Sequence, residues 1–295
     1  MRVLILGGSG MLGHKLYQTC APRFDTYATF RAAASEYKRF GIFDESRMIG
    51  EVSAEDIDSV ERAFAATKPD VVVNCIGIVK QDPSAKDPIA SSAVNSLFPH
   101  RLVELCRRSG ARLIHLSTDC VFSGRKGNYS ENDVPDAEDL YGRTKLIGEI
   151  ADAGCLTIRT SMIGRELKGS HGLLEWFLSQ CDGRVSGFKR AIFSGFTTQA
   201  LAEVIGKIIV EQSELSGIWH VAAEPISKFD LLRLVKQTYG LAIEIDPDET
   251  FACDRSLDSS RFRAITGFQP PAWPEMIQRL HDDRTAYDEI RRMNA

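Results

Sequence analysis

The feature that most limits what this chain can fold into is a glycine run near its start, Gly7-Gly8-Ser9-Gly10-Met11-Leu12-Gly13. It follows Val3–Leu6, which reads as a short buried strand, and overlaps Met11–Cys20, which opens a helix. Glycines spaced three apart between a strand and a helix have separate tasks. Gly7 permits the tight turn, Gly10 lets the backbone approach a pyrophosphate, and Gly13 allows helix and strand to pack closely. The helix start also offers free N–H groups and a partial positive charge to an anion. Gly7, Gly10, Met11, Leu12 and Gly13 are therefore candidate dinucleotide contacts. A glycine turn that serves packing alone is the competing reading.

The next turn of the chain bears on which dinucleotide. An acid at the end of the second strand bonds a ribose 2′-hydroxyl, whereas a basic residue accommodates a 2′-phosphate. Here Thr29-Phe30-Arg31 ends the predicted strand Thr26–Phe30 with no acid, and Lys38 and Arg39 follow. Arg31 thus points to NADPH, with NADH as the alternative.

Apolar strands and amphipathic helices continue to alternate. Strands are expected at Val71–Cys75, Arg112–Ser117 and Leu156–Arg159, and helices over 56–66, Ile89–Arg108 and Leu140–Ala153. Continuous apolar strands separated by helices predict an α/β fold, a doubly wound parallel sheet of Rossmann type. Beyond about residue 160 the alternation loosens. Helices are expected at Gly172–Gln180 and Thr198–Gln212, one more strand at Gly217–Val221, and a helix capped by Ser227 with Asp230 three places on. A proline-rich break, Pro270-Pro271-Ala272-Trp273-Pro274, precedes a charged final helix, Met276 to Met293. We expect a nucleotide-binding domain over 1–160 plus 197–222, and a smaller, interleaved C-terminal substrate domain over 161–196 plus 223–295.

Composition removes other classes. With 43% hydrophobic and 26% charged residues, disorder and fibrous architecture are excluded. Lys and Arg number 36 against 40 acids, so the basic excess a nucleic-acid binder needs is missing. No apolar run approaches the ~20 residues that span a bilayer. The opening Met1 to Gly8 turns glycine-rich too soon to read as a secretory leader. Seven cysteines, Cys181 among them, are an odd number with no C-x-x-C pair, and the histidines are dispersed. Neither a disulfide framework nor a metal site is expected, and a reducing cytoplasm is the expected home.

Chemistry-bearing residues cluster after the fourth strand. Ser117-Thr118-Asp119-Cys120 is followed later by Tyr141-Gly142-Arg143-Thr144-Lys145. On a helix, Tyr141 and Lys145 share one face. A phenol titrates near 10, so we expect the Lys145 ammonium to lower it, while Thr118 bonds a substrate carbonyl. The competing reading is an exposed helix pair with no chemistry.

Together these segments resemble the extended short-chain dehydrogenase/reductases, and more narrowly the dTDP-4-dehydrorhamnose reductase family of nucleotide-sugar enzymes. The resemblance rests on Gly7–Gly13, 69–74, Val94-Asn95, Leu116–Gly124, Tyr141–Glu149, Leu156–Ser161, Gly217–Pro225 and Leu257–Phe262. It implies NADPH-dependent reduction of the C4 keto group of a nucleotide-linked 4-keto-6-deoxy sugar. It further implies that Thr118 orients the keto oxygen, that Tyr141 donates the proton, and that Lys145 tunes Tyr141 and holds the ribose. By the same resemblance Asn95 and Gly77 lie beside the nicotinamide, and the enzyme is a homodimer.

Two positions depart from the family pattern: Cys120 and Met162 stand where aromatic residues are usual near the sugar. These departures point to a UDP-linked 2-acetamido-2,6-dideoxy-hexos-4-ulose as an alternative substrate. Asp119, Cys120 and Met162 are accordingly candidate substrate contacts, with Arg255 and Arg261 as candidates for a diphosphate. A 4,6-dehydratase would need a second acid where Cys120 stands. A 4-epimerase, and a silent NADP-binding subunit like the methionine adenosyltransferase β-subunit, remain rival readings. Trp176, Trp219 and Trp273 are expected in packing roles, and His220 as a hydrogen-bonded structural residue.

Overall fold

The computed structural model describes residues 1–180 and 183–293. The strands among them are β1 (Arg2–Leu6), β2 (Asp25–Thr29), β3 (Met48–Ile49), β4 (Val71–Asn74), β5 (Arg112–Thr118) and β6 (Cys155–Thr160), then β7 (Met162–Ile163), β8 (Arg184–Phe193), β9 (Phe196–Thr197), β10 (Gly217–His220), β11 (Ile226–Ser227) and β12 (Glu244–Asp254). Seven strands form one parallel sheet in the order β10-β6-β5-β4-β1-β2-β3. The chain winds outward from β1 to β3, then crosses back to β4 and winds the other way. Strand order therefore reverses between β1 and β4. The crevice beyond the carboxyl ends of such a pair is where open α/β sheets bind ligands.

Side-chain alternation explains why these strands read as continuous apolar runs. Val3 and Ile5 face one side, in a core with Leu16 and Ile205, while Leu4 and Leu6 face the other, with Val60, Phe98 and Leu102. Val71 and Val73 divide from Val72 in the same way. Helices Gly13–Cys20 and Thr198–Glu211 cover the first face; Ile57–Thr67 and Phe98–Ser109 cover the second. Both faces are dry, as a parallel sheet requires.

The chain leaves this sheet after β6, returns to it as β10 beside β6, and leaves again. The excursions build a three-stranded sheet, β11-β8-β12, and a two-stranded pair, β7-β9. Strands β8 and β12 run parallel, with a register shift between Asp248 and Ala252.

Several expected elements differ. The first helix begins at Gly13 rather than Met11. The single helix over Ile89–Arg108 is instead Pro88–Ser91, a wider π segment Ser92–Leu97, and Phe98–Ser109. Pro99 has no N–H to give the Asn95 carbonyl, so a uniform α ladder cannot run through it. The helix expected over Leu140–Ala153 stops at Ile147. The final helix is two, Trp273–His281 and Tyr287–Arg292, separated by a turn in which Asp283 Oδ1 accepts from the Thr285 amide (3.0 Å) and hydroxyl (2.9 Å). The Ser227 cap forms as its spacing predicts, accepting from the Asp230 amide at 2.9 Å.

Trp219 and Trp273 are buried, but Trp176 is 38% exposed and is not a core residue. His220 is buried, with Nδ1 3.0 Å from the Tyr129 carbonyl and Nε2 3.2 Å from Arg159 Nη1. Cys20, Cys75, Cys106, Cys120, Cys155 and Cys253 are free thiols, and Cys181 lies outside the described residues. Among the described residues, no helix is long and apolar enough to cross a membrane.

Candidate active site

The glycine turn caps the carboxyl end of β1. Gly7 takes φ +84°, a left-handed conformation costly for any side chain but glycine's. Its amide donates to Thr29 Oγ1 (3.1 Å), and the Gly8 amide to the Thr29 carbonyl (2.8 Å), tying the turn to β2. A Cβ on Gly13 would sit 2.1 Å from the Gly7 carbonyl oxygen, so only glycine lets the helix start this close. A Cβ on Gly10 would meet only that carbonyl, at 3.3 Å. No side chain caps the helix at Leu12. Leu12 is buried, and the Met11 thioether end lies against Gly172.

The π segment brings Asn95 to the loop after β4. Asn95 Oδ1 accepts from the Ile78 amide (2.9 Å) and its Nδ2 donates to the Ile78 carbonyl (3.0 Å). This clip fixes the backbone of Gly77, where a Cβ would lie 3.4 Å from Asn95 Oδ1 and 3.9 Å from Lys145 Nζ. The Asn95 carbonyl, without a donor from Pro99, faces Gly148; a Cβ there would be 1.9 Å away. Helix Leu140–Ile147 therefore ends at the residue that seats it on the π segment, and Ser96 Oγ donates to the Thr144 carbonyl alongside (2.9 Å).

The same helix approaches β5 through a second glycine. A Cβ on Gly142 would lie 2.2 Å from the Cys120 carbonyl oxygen. That contact brings Tyr141 to the turn after β5, where its phenol bonds Thr118 and feels Cys120 and Asp119 electrostatically. Thr118 Oγ1 accepts from the Cys120 amide (3.1 Å) and donates to Asp119 Oδ1 (3.1 Å). Lys145 is buried, and its ammonium donates to the Leu116 carbonyl (2.7 Å).

Electrostatics depart from the sequence expectation at one point. Burial, reinforced by Cys120, pushes the Tyr141 phenol up from its ordinary value, with the Thr118 hydrogen bond opposing. Lys145 was expected to lower it, yet its ammonium is turned to Leu116. Burial brings Lys145 itself down to about 8, against the attraction of Glu149. Burial also raises Asp119, with Arg255 opposing, and pushes the Cys120 thiol up to about 12, so Cys120 stays an uncharged thiol.

Arg255 joins the cluster: Nε donates to the Phe122 carbonyl (2.8 Å) and Nη1 lies 3.8 Å from Cys120 Sγ. Met162 is half-buried in β7, paired with Phe196. Arg261 is not brought here. It stacks on Trp219 at 3.7 Å and donates to the Ile218 carbonyl at the sheet's edge strand. Arg31 is exposed and, against the sequence expectation, has an acid beside it: Glu55 Oε2 at 3.2 Å.

Two supports went unread in the sequence. Asp139 caps the catalytic helix, accepting from the Gly142 amide (2.8 Å) while its other oxygen pairs with Lys80 (2.6 Å). Its position just before the helical run was the available signal. Buried Glu149 takes two hydrogen bonds from Arg159 (2.8 and 2.7 Å) and one from Ser117 Oγ (2.6 Å). Both acid and Arg lie within the segments that carry the family resemblance, but nothing local in the sequence says that they meet.

These residues fit a dinucleotide: the left-handed Gly7, the room at Gly10, the uncapped helix start and the Gly77 backbone all line the crevice where strand order reverses. Fold and constellation together define the extended short-chain dehydrogenase/reductases, a class of NAD(P)-dependent oxidoreductases. Within that class the chain belongs to the family described as "RmlD substrate binding domain", which matches residues 1–285. It is 29% identical over 262 residues to dTDP-4-dehydrorhamnose reductase of Mycolicibacterium smegmatis, covering 85% of this chain and 72% of that protein. It is 31% identical over 153 residues to methionine adenosyltransferase 2 subunit beta of Rattus norvegicus, covering 51% of this chain but only 42% of that one. The solved dTDP-4-dehydrorhamnose reductase of Bacillus anthracis, in complex with NADP, superposes with a TM-score of 0.78 at 21% identity, covering 95% of this chain and 98% of that chain.

Proposed function

We propose that this protein reduces the C4 keto group of a nucleotide-diphosphate-linked 4-keto-6-deoxy sugar with NADPH. The observation that carries the proposal is the meeting of the Tyr141 and Thr118 hydroxyls at the carboxyl end of β5, across β4 from the glycine turn that follows β1, with Lys145 bonded to Leu116 of the same strand. NADPH, when bound, supplies the hydride. Gly7, Gly10, Gly13 and the helix start would hold its pyrophosphate, Lys145 and Asn95 its nicotinamide end, and Arg31 its 2′-phosphate. The NADP held by the Bacillus anthracis reductase of the same fold supports that assignment.

The chain's own chemistry is proton supply and orientation. Thr118 would turn its proton from Asp119 to the keto oxygen that the Tyr141 hydroxyl also bonds. Tyr141, kept protonated by burial, gives its proton to that oxygen as negative charge develops. Burial keeps the proton on Tyr141 at the cost of a weaker acid, so the transfer relies on the C4 alkoxide being the stronger base. Arg255, bonded to the Phe122 carbonyl next to Cys120, would face an anionic part of the substrate. The nucleotide-binding part comprises 1–160 plus 197–222 in this reading, which also includes a cytoplasmic home and a homodimer.

One observation favours a variant of this reading. Cys120, whose Sγ lies 3.8 Å from Arg255 Nη1, occupies less space than an aromatic ring would. A bulkier sugar, such as a UDP-linked 2-acetamido-2,6-dideoxy-4-ulose, fits that difference. The test is a panel of dTDP- and UDP-linked 4-keto sugars with NADPH and NADH, followed at 340 nm with product identification. Turnover of a 4-keto sugar with NADPH is expected, and Tyr141→Phe should cut it by about 10²- to 10⁴-fold with NADP⁺ binding unchanged. No turnover of any panel member would favour the silent-subunit reading, and a Tyr141→Phe variant as active as the parent would remove Tyr141 as the proton donor.

A further inference from the structure

Behind the glycine turn, a buried polar chain joins it to the other end of the molecule. His14, fully buried one residue into the first helix, places Nδ1 2.8 Å from the Gly10 carbonyl oxygen and Nε2 2.8 Å from the Tyr287 hydroxyl. A carbonyl only accepts, so Nδ1 carries the proton. Burial holds His14 down at about 4, which leaves Nε2 bare as an acceptor, and the one Tyr287 phenolic proton is shared between it and Asp283 Oδ2, to which the hydroxyl also donates. Tyr287 is anchored in turn. Its oxygen lies 3.0 Å from Asp283 Oδ2, and that carboxylate is held by Lys15 Nζ (2.5 Å), the Thr285 amide (3.0 Å) and Gln199 Nε2 (3.0 Å). Arg165 stacks on the Tyr287 ring at 4.8 Å.

Packing alone does not call for this arrangement. A phenylalanine would fill the same space with no hydroxyl to satisfy, and a buried imidazole costs desolvation unless both nitrogens are bonded. The partner of the hydrogen bond is also particular: Gly10 is the glycine with room for a pyrophosphate, and its carbonyl direction sets where the next amides point. Tyr287 lies beyond the residues that the family match spans.

We infer that His14 and Tyr287 are positioning residues for the cofactor: the segment around Tyr287 acts through His14 to hold the Gly10 backbone in the orientation that receives the dinucleotide. The inference rests on the reading of the glycine turn as a dinucleotide site. Neither residue touches the reacting atoms, so the effect falls on cofactor affinity and not on the chemical step.

The experiment is calorimetric titration of the full chain and its variants with NADP⁺, with thermal melting alongside. Tyr287→Phe keeps the ring and removes the hydroxyl; His14→Phe removes both bonds; His14→Asn keeps a donor near the Nδ1 position. Tyr287→Phe and His14→Phe are each expected to raise Kd by about five- to tenfold. The double variant should be no worse than the worse single, because both cut one chain. His14→Asn should recover most of the affinity that His14→Phe loses. In turnover, KM for NADPH should rise with kcat unchanged. Should His14→Phe fail to fold, Tyr287→Phe and His14→Asn carry the test. A Tyr287→Phe protein with parental Kd, or losses that add in the double variant, overturns the inference while leaving the dinucleotide reading intact. Absence of any NADP⁺ binding by the parent overturns the reading and the inference with it.

Discussion

At neutral pH the Tyr141 phenol keeps its proton and the Lys145 ammonium its charge, and the order in which they titrate sets the pH dependence. Tyr141 lies above its ordinary range, so Lys145, at about 8, is the first of the two to lose a proton as pH rises. Losing that charge weakens the grip on the ribose and on developing negative charge at the keto oxygen. We therefore expect kcat/KM to be level through neutrality and to fall above a midpoint near pH 8, read from a pH–rate profile. Glu149 holds that charge up against burial. Glu149→Gln removes the attraction and should move the alkaline limb to lower pH by roughly one unit, about 1.4 kcal/mol of charge interaction. The variant also leaves Arg159 without its buried partner, so a lower melting temperature should accompany the shift. Spacing on strand and helix singled out Thr118, Tyr141 and Lys145, and the family resemblance Asn95; the structure brings Asn95 and Lys145 to the Gly77 loop and Tyr141 to the turn after β5. Arg261 was misread because a cation's number along the chain does not tell which way it folds; here a tryptophan face took it.

At the scale of elements, two close approaches assemble the site, and both run through glycines, one within and one just past the end of one short helix. Gly142 meets the turn after β5 and Gly148 meets the Asn95 carbonyl. Gly148→Ala puts a methyl 1.9 Å from a backbone oxygen that cannot swing away as a side chain could. The helix must then lift off the π segment, taking Lys145 and Tyr141 with it. We expect a loss of roughly 1–3 kcal/mol in unfolding free energy and a kcat lowered more than tenfold, checked by denaturant titration and turnover together. A parental rate in that variant would show that the helix is not seated by this contact. Sequence periodicity found six of the seven strands of the large sheet, all but the two-residue β3, and most of its helices, because apolar strands buried on both faces leave a strong signal. It missed β8 and β12, and the reason is physical. Strand β12 carries Glu244, Asp246, Pro247, Asp248 and Glu249, residues depleted in strands. Cross-strand ion pairs support it instead: Arg184 with Glu244 and Asp246, and Lys189 with Glu249. Such partners are visible only once the chain has folded. The π segment was missed for a related reason: Pro99 was present in the expected helix, but its effect depends on Gly148 approaching from another element.

For the whole molecule, the candidate cofactor crevice is built from segments far apart in the chain: the turn after β1, the loop after β4, the helix carrying Tyr141, and the Asp283–Tyr287 turn behind His14. Unfolding separates all of them, so a ligand that bridges them binds the folded state and has no comparable site on the unfolded chain. Linkage then fixes the size of the effect. At a concentration of about 100 times Kd, NADP⁺ should add ~2.7 kcal/mol to the unfolding free energy. For a chain of 295 residues that is a rise in melting temperature on the order of 5 °C. NAD⁺ at the same concentration should give a smaller rise if Arg31 receives a 2′-phosphate, and Arg31→Ala should bring the two dinucleotides closer together. The Glu55 pair bears on this outcome. A 2′-phosphate carries more charge than one carboxylate and should draw Arg31 away from it, whereas a ribose hydroxyl could be received by Glu55 with Arg31 left in place. Equal shifts from NADP⁺ and NAD⁺ would therefore remove the selectivity from Arg31, a larger shift from NAD⁺ would reassign it to Glu55, and a melting temperature unmoved by either would remove the dinucleotide from the crevice altogether.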